Sequence, residues 1–75
     1  MINKKALGAV IKNQRKAKNL KQNDVSAETN LSRNYISDIE SGRYAPSLDA
    51  LSKLAVCLDL DLNVLKMSEI QDNNA

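Results

Sequence analysis

A chain of 75 residues is long enough for one small domain and no more. With a single cysteine it cannot form an internal disulfide bond, and without histidine it has no ligand set for a structural zinc ion. Its apolar runs are far shorter than the roughly 20 residues that span a bilayer. The basic N-terminus also lacks the apolar segment of a signal peptide, so we expect a cytoplasmic protein.

The net charge is only +2, but the basic residues are concentrated in the first part of the chain. Residues 1–21 contain seven lysine or arginine residues and no acidic residue, whereas acidic residues outnumber basic ones after residue 48. This asymmetry favours a polyanionic partner, and a basic helix that is merely solvated is the alternative.

Glycine and proline are scarce and no segment alternates polar and apolar residues for long, which predicts helices joined by short turns. The first helix should cover about residues 4–18, with one inner stripe formed by Leu7, Val10, Ile11, Gln14 and Ala17. Asn19 should end it in the left-handed conformation that asparagine tolerates. The second helix should cover about residues 22–29 and bury Val25, with a poor capping residue in Lys21.

The third and fourth helices have clearer start signals. Ser32 is placed to cap a third helix that ends near residue 41, and Gly42 should terminate it. Ser47 should cap a fourth helix with an apolar stripe formed by Leu48, Leu51, Leu54, Ala55 and Leu58.

A fifth helix should begin after Asp61, with apolar positions at Leu62, Leu65 and Ile70. The predicted fold is therefore all-α, a compact five-helix bundle that forms one domain in residues 1–70. Residues 71–75 are a polar tail, which we expect to be frayed.

The most informative segment is NLSRNYISDIESGRYAPS, residues 30–47, because it places many hydrogen-bonding side chains on the open face of a short helix. The second helix, a tight turn and the third helix form a helix-turn-helix pattern. In that arrangement the third helix lies in the major groove of DNA and presents polar side chains to it. A bend between helices is common in small bundles and is weak evidence by itself. The helix-turn-helix interpretation is stronger because the third helix is polar and the first helix is basic.

Residues 7–65 resemble the Xre/Cro-type helix-turn-helix domain of phage repressors and small bacterial regulators. The matching segments are IKNQRKAKNLKQNDVS, TNLSRNYISDIESGRYAPSLDALSKLA and LDLDLNVL. In size, and in the segment NLSRNYISDIE, the chain is also similar to controller proteins of restriction–modification systems. The resemblance implies a lambda-repressor-like DNA-binding domain. Where the family often has glycine, the chain has residues that still tolerate a left-handed turn, namely Asn19, Asn30 and Asp59.

Four residues of the third helix are candidates for reading bases. Arg33 is the first of them, because a guanidinium near the start of the helix can pair with guanine O6 and N7, although it can also bind a phosphate. Asn34 can read adenine or bind a phosphate. Ser37 and Asp38 lie one turn further on, where Asp38 can accept from cytosine N4, act as a specificity filter or pair within the protein.

Phosphate contacts are expected on both sides of this helix. Gln22 can offer its side chain and its backbone N–H to a phosphate, a role that the resemblance supports. Tyr35 can contact the DNA backbone or a thymine methyl group, or pack over the second helix. The remaining candidates are Ser32 at the start of the third helix and three residues after it, where the resemblance implies phosphate contacts: Ser41, Arg43 and Tyr44.

Arg15 and Glu40 match an arginine and a glutamate that commonly pair in the family. The resemblance therefore implies a partly buried ion pair between the first helix and the end of the third. Contact between Arg15 and DNA is the alternative, since this arginine lies in the basic first helix.

One domain of this kind meets only about four or five base pairs, too few for selectivity in a genome. The predicted function is a sequence-specific transcriptional regulator that binds double-stranded DNA as a homodimer on a near-palindromic operator. RNA polymerase is a further candidate partner, and no metal, cofactor or membrane is expected. The dimer interface is expected near the end of the chain, at Leu60, Leu62, Val64, Leu65 and Met67.

The alternative function is a protein-interaction module, such as an antitoxin or an anti-repressor with the same fold. The short polar tail after Met67 counts against the toxin-binding extension of an antitoxin. An enzyme is the least supported class, because the chain has no histidine, no glycine-rich phosphate loop and no carboxylates at metal-ligand spacing.

Overall fold

The computed structural model describes residues 3–61, and this part of the chain contains four α-helices. In chain order they are α1 (Lys4–Ala17), α2 (Gln22–Thr29), α3 (Arg33–Glu40) and α4 (Leu48–Leu58). The all-helical prediction is confirmed for these residues, whereas the predicted fifth helix and the polar tail lie outside them. None of the described helices is long and apolar enough to cross a membrane.

Side-chain oxygens cap the N-termini of α1, α3 and α4. Asn3, Ser32 and Ser47 each accept a hydrogen bond from the backbone N–H three residues further on, at 3.0–3.1 Å. The start of α2 differs, as the poor capping residue predicts. There the carboxylate of Asp24 accepts a hydrogen bond from the backbone N–H of Lys21 at 2.7 Å, which satisfies a donor at the helix start.

The turns after α1, α2 and α4 each contain one residue in the left-handed conformation. These are Asn19, Asn30 and Asp59, with φ values of 58°, 62° and 58°, so the prediction of left-handed turns without glycine is confirmed. The residue after α3 and its cap is Gly42, with φ of 80°. It is buried against Lys5 of α1, and a Cβ atom at Gly42 would lie 2.7 Å from the Cγ atom of that lysine.

The core lies between the four helices and consists of aliphatic side chains that are almost completely buried: Leu7, Ile11, Val25, Ile36, Ile39, Leu51, Leu54 and Leu58. Two predicted stripe positions are wrong. Ala17 is exposed because the inner face of α1 follows Ile11 and Arg15, and two residues of helix turn Ala17 about 200° from Arg15. Leu48 is 83% exposed because it is the first residue of α4 and lies beyond the part of that helix packed on the core.

Gly8 brings α1 very close to the C-terminal end of α3. A Cβ atom at this position would lie 2.3 Å from the carbonyl oxygen of Ile39 and 3.0 Å from that of Glu40. Real contacts between carbon and oxygen atoms do not become so short, and the obstacle is backbone. The absence of a side chain at Gly8 therefore sets the distance between the basic first helix and α3.

Replacing Gly8 by alanine should destabilise the protein by about 1–3 kcal/mol, because the added methyl group must displace packed backbone. Helix propensity alone predicts the opposite sign, a gain of about 1 kcal/mol for alanine over glycine within a helix. Urea unfolding of the variant measures the difference. The control is Ala9→Ser on the exposed side of α1, which should change stability by about 0.5 kcal/mol or less. A Gly8→Ala variant as stable as the parent would contradict the close approach.

Candidate nucleic-acid interface

The turn between α2 and α3 is fixed by hydrogen bonds within it. The hydroxyl of Ser26 donates to the carbonyl oxygen of Leu31, and the side chain of Leu31 packs against the core. The hydroxyl of Thr29 donates to the carbonyl oxygen of Val25 at 2.7 Å and accepts from the N–H of Leu31 at 3.3 Å. This short turn, in which side-chain hydroxyls form hydrogen bonds with the backbone, holds α3 at a defined angle to α2.

One face of α3 is buried and the other carries the candidate base-reading residues. Ile36 and Ile39 are 0% and 1% exposed. Arg33 and Asn34 are exposed, while the other two candidates, Ser37 and Asp38, are half-buried.

Asp38 faces Arg43, and this pair joins α3 to the loop that follows it. Its carboxylate lies 3.7 Å from the guanidinium, and the arginine side chain is largely exposed. The carbonyl oxygen of Asp38 also accepts a hydrogen bond from the hydroxyl of Ser41 at 3.0 Å. The structure thus brings Asp38, Ser41 and Arg43 together. Of the roles considered for Asp38, this arrangement corresponds to pairing within the protein.

The basic start of α1 lies beside the same loop. The ammonium group of Lys4 is 3.4 Å from the carbonyl oxygen of Arg43, and Tyr44 next to it is 53% exposed. Because Lys5 packs on Gly42, the two N-terminal lysines and Arg43 form one positive edge next to the C-terminal end of α3.

Tyr35 and Ser32 are held by the protein itself. The half-buried ring of Tyr35 packs on the core, and its hydroxyl accepts a hydrogen bond from the backbone N–H of Ser47 at 3.0 Å. This bond connects α3 to the start of α4, a contact that sequence reasoning did not include. The hydroxyl oxygen of Ser32 caps α3, which leaves its O–H available as a donor at the exposed surface.

Arg15 and Glu40 form a bidentate pair between α1 and the last residue of α3. The Nε and Nη2 atoms of Arg15 donate to the two carboxylate oxygens of Glu40 at 2.7 and 3.0 Å. The two residues are only 9% and 8% exposed, and the hydrogen bond to Glu40 raises the pKa of Arg15. A third donor, Arg15 Nη1, bonds to the carbonyl oxygen of Leu20 at 2.8 Å.

Gln22 extends this pair to the surface. Its Nε2 atom donates to Glu40 at 3.1 Å, and its Oε1 atom accepts from Nη1 of Arg33 at 3.2 Å. Four predicted site residues, Arg15, Glu40, Gln22 and Arg33, therefore form one continuous hydrogen-bonded network. Sequence reasoning assigned Gln22 a phosphate contact and missed both of these bonds.

Cys57 of α4 is the other described residue whose pKa is shifted, and it lies against α2. Its thiol donates a hydrogen bond to the carboxylate of Glu28 at 2.8 Å. Burial, followed by this bond and the negative charge of Glu28, raises the pKa of Cys57 to about 11. Within residues 3–61, no group of three or more histidine, cysteine or acidic side chains is arranged to hold a metal ion.

The dimer candidates are only partly within the described residues. Leu60 is half-buried and packs against the core. The other four candidates, Leu62, Val64, Leu65 and Met67, lie outside the described residues.

Taken together, a satisfied turn between α2 and α3, a polar outer face on α3 and a basic edge beside it define a helix-turn-helix DNA-binding domain. The helix-turn-helix family model (HTH_3) matches residues 11–65, and the chain belongs to this family. It is a family of transcription regulators that bind double-stranded DNA rather than one of enzymes.

Relatives and solved structures agree with this family. The chain is 55% identical over 71 residues to the ImmF control region 10 kDa protein of Bacillus phage phi105, covering 95% of this chain and 79% of that protein. It is 39% identical over 59 residues to the immunity repressor protein of the same phage, covering 79% of this chain but only 41% of that repressor. The restriction–modification controller protein C.AhdI from Aeromonas hydrophila superposes with a TM-score of 0.74 at 31% identity, over 81% of this chain and 92% of that one.

Replacing Glu40 by glutamine should cost about 3–5 kcal/mol of stability, because it leaves the charge of Arg15 buried without a counter-ion. Urea unfolding near neutral pH measures the loss. Asp49→Asn is the matched control, since it removes an exposed carboxylate that lies 3.2 Å from Lys53 and should cost about 0.5 kcal/mol or less. Equal losses in the two variants would show that the Arg15–Glu40 pair is not buried as described.

The raised pKa of Cys57 predicts a specific dependence of stability on pH. A raised thiol pKa favours the neutral form in the folded protein, so the stabilisation is present below the unfolded pKa of about 8.5–9 and is lost as pH rises through about 11. The difference in stability between the parent and Cys57→Ser should therefore change between these pH values. Thiolate absorbance should show a folded midpoint well above the unfolded one, and coinciding midpoints would contradict the contact with Glu28.

Proposed function

We propose that the chain is a sequence-specific transcriptional regulator that binds a near-palindromic operator as a homodimer, with α3 in the major groove. The observation that carries this proposal is the arrangement of α3. Its aliphatic side chains are buried in the core, while Arg33 and Asn34 are exposed at its N-terminal end, where recognition helices contact base edges.

Phosphate contacts are proposed on both sides of this helix. Gln22 lies at the start of α2, where the backbone N–H groups and the helix dipole favour an anion. At the other end, Arg43 and Lys4 form part of the positive edge beside the loop after α3. Two groups of contacts that flank the reading helix would fix its register on DNA without carrying sequence information.

The similarity to a phage control-region protein supports a more specific role. The identity of 55% over nearly the whole chain to the ImmF control region 10 kDa protein is well above the 31% identity to C.AhdI. We therefore infer that the operators of this protein lie in a phage-type immunity control region. Control of a restriction–modification system is the second candidate, favoured by the superposition with C.AhdI.

Homodimer formation is proposed because a single α3 reads too few base pairs. A two-fold dimer would place its two recognition helices about 34 Å apart, which predicts two inverted half-sites separated by one helical turn of DNA. Leu60 and the apolar positions that follow it in the sequence remain the proposed interface.

Replacing Arg33 by alanine should remove selectivity at one base pair in each half-site, by about 1–3 kcal/mol, because a bidentate contact to guanine is lost. Selection of binding sites from random duplexes at two salt concentrations measures this directly. The parent protein should enrich a near-palindrome, and the variant should enrich the same sequence with one degenerate position per half-site.

Arg43→Ala is the matched control, because it removes an arginine that is proposed to contact phosphate. Affinity should fall about equally for all sequences, and the slope of log affinity against log salt should decrease in magnitude by about 1. If the parent protein binds weakly and without sequence preference, and modest salt abolishes binding, operator recognition is wrong and a protein partner for α3 is favoured.

A further inference from the structure

We propose that Asp38 is a specificity-determining residue that acts in part through Arg43. In the free protein its carboxylate offsets the charge of Arg43. Arg43 therefore engages a phosphate fully only where the DNA offers Asp38 another partner, an amino group on a base. This inference rests on the proposed function, in which α3 lies in the major groove and Arg43 contacts phosphate.

Asp38 contributes a negative charge to the outer part of α3. It lies one helical turn after Asn34, so the two side chains project from the same side of the helix. The side chain of Asp38 is 31% exposed. The other acidic residue of α3 is Glu40, which is buried and bonded to Arg15. In the proposed function the carboxylate of Asp38 therefore lies close to the DNA, where it repels phosphates.

The contact between Asp38 and Arg43 is a charge pair rather than a directional hydrogen bond. The Nη1 atom of Arg43 lies 3.7 Å from a carboxylate oxygen of Asp38, beyond the limit of about 3.2 Å for an N–H···O hydrogen bond. The arginine side chain is 71% exposed, so its guanidinium is free to move toward another anion. Such a pair lowers the charge that Arg43 presents to DNA without fixing the position of its guanidinium.

Main-chain hydrogen bonds keep Arg43 beside Asp38. The carbonyl oxygen of Asp38 accepts hydrogen bonds from the N–H of Arg43 at 2.9 Å and from the hydroxyl of Ser41 at 3.0 Å. The N–H of Tyr44 donates to the same oxygen at 3.4 Å. Because the acceptor is a backbone atom, a substitution of the Asp38 side chain removes the carboxylate and leaves these bonds in place. The effect of the charge can therefore be measured separately from the structure of the loop.

The chemistry of a carboxylate determines which bases suit Asp38, because an ionised carboxylate accepts hydrogen bonds and cannot donate them. In the major groove cytosine offers its N4 amino group and adenine its N6 amino group, whereas guanine and thymine present acceptor oxygens. Where an amino group faces Asp38, the base satisfies the carboxylate and the full charge of Arg43 is available to a phosphate. Where an acceptor oxygen faces it, the carboxylate stays paired with Arg43 and repels the base edge. Asp38 thereby favours cytosine or adenine and lowers affinity for other sequences.

The test is Asp38→Asn, which keeps the shape of the side chain and removes its charge. Affinity for random duplexes should rise about 2- to 5-fold, because an exposed ion pair no longer competes with phosphate. The slope of log affinity against log salt should increase in magnitude by up to about 1. The preference for cytosine or adenine at the position that Asp38 reads should fall about 5-fold, since an amide can donate as well as accept.

Asp59→Asn is the matched control. It makes the same change of charge at an exposed residue in the turn after α4, and asparagine tolerates the left-handed conformation found there. Base preference should stay as in the parent protein. Affinity for random duplexes should rise less than in Asp38→Asn, because this carboxylate is not paired with Arg43.

A double-mutant cycle shows whether Asp38 acts through Arg43. In the Arg43→Ala background, the gain in affinity for random duplexes caused by Asp38→Asn should be at least halved. An equal gain in both backgrounds would mean simple repulsion between Asp38 and phosphates, and a loss of affinity would mean that Asp38 positions Arg43 for a phosphate. Either outcome overturns the inference while the proposed function stands. If the parent protein shows no base preference, the proposed function itself fails.

A second variant, Asp38→Ala, covers the case in which Asp38→Asn does not fold. Alanine has a higher helix propensity than aspartate, and the backbone bonds of the loop are retained. Affinity for random duplexes should again rise about 2- to 5-fold, and preference at the position that Asp38 reads should be lost, because no donor or acceptor remains. An alanine variant with the base preference and the non-specific affinity of the parent would overturn the inference.

Discussion

The buried pair of Arg15 and Glu40 is the interaction on which the position of α3 depends. Charges that are nine-tenths buried are tolerated only when their hydrogen bonds are satisfied, and here both carboxylate oxygens accept from Arg15. The pair connects the first helix to the last residue of the third, and Arg15 adds a bond to the turn before α2. The side chain of Arg15 thus connects α1 to the end of α3 and to the turn before α2. Its hydrogen bonds are far more directional than aliphatic packing.

This dependence matters because α3 has only eight residues. A helix so short is not stable in isolation, since helix formation has a costly first turn. Contacts with the rest of the domain stabilise it: Ser32 caps its first turn, its two isoleucines pack in the core and Glu40 is bonded to Arg15. Gly8 allows α1 to approach closely enough for this arrangement. The surface proposed to face DNA is therefore maintained largely by side chains of the interior, namely the two isoleucines and the pair of Arg15 and Glu40.

The sequence predicted the four described helices, the caps of α3 and α4 and the left-handed turns well because these depend on neighbouring residues. The prediction that Leu48 is buried was wrong because periodicity shows which face of a helix is apolar, but not which part of its length is packed on the core. The close approach at Gly8 and the bonds of Gln22 were not predictable for a related reason. Gln22 and Glu40 are 18 positions apart in the sequence, and their contact depends on how the helices are arranged in space.

The division of α3 into a buried face and an exposed face has a consequence for evolution. Substitutions at exposed positions such as Asn34 change stability little, whereas the isoleucines of the opposite face are bound to the core. Related proteins can therefore diverge in the DNA they recognise while they keep one scaffold. Arg33 is the exception, because it is hydrogen-bonded to Gln22, which in turn is hydrogen-bonded to the buried Glu40. A lineage that exchanges this arginine inherits a glutamine at position 22 oriented for a partner that is gone, so the two positions should change together.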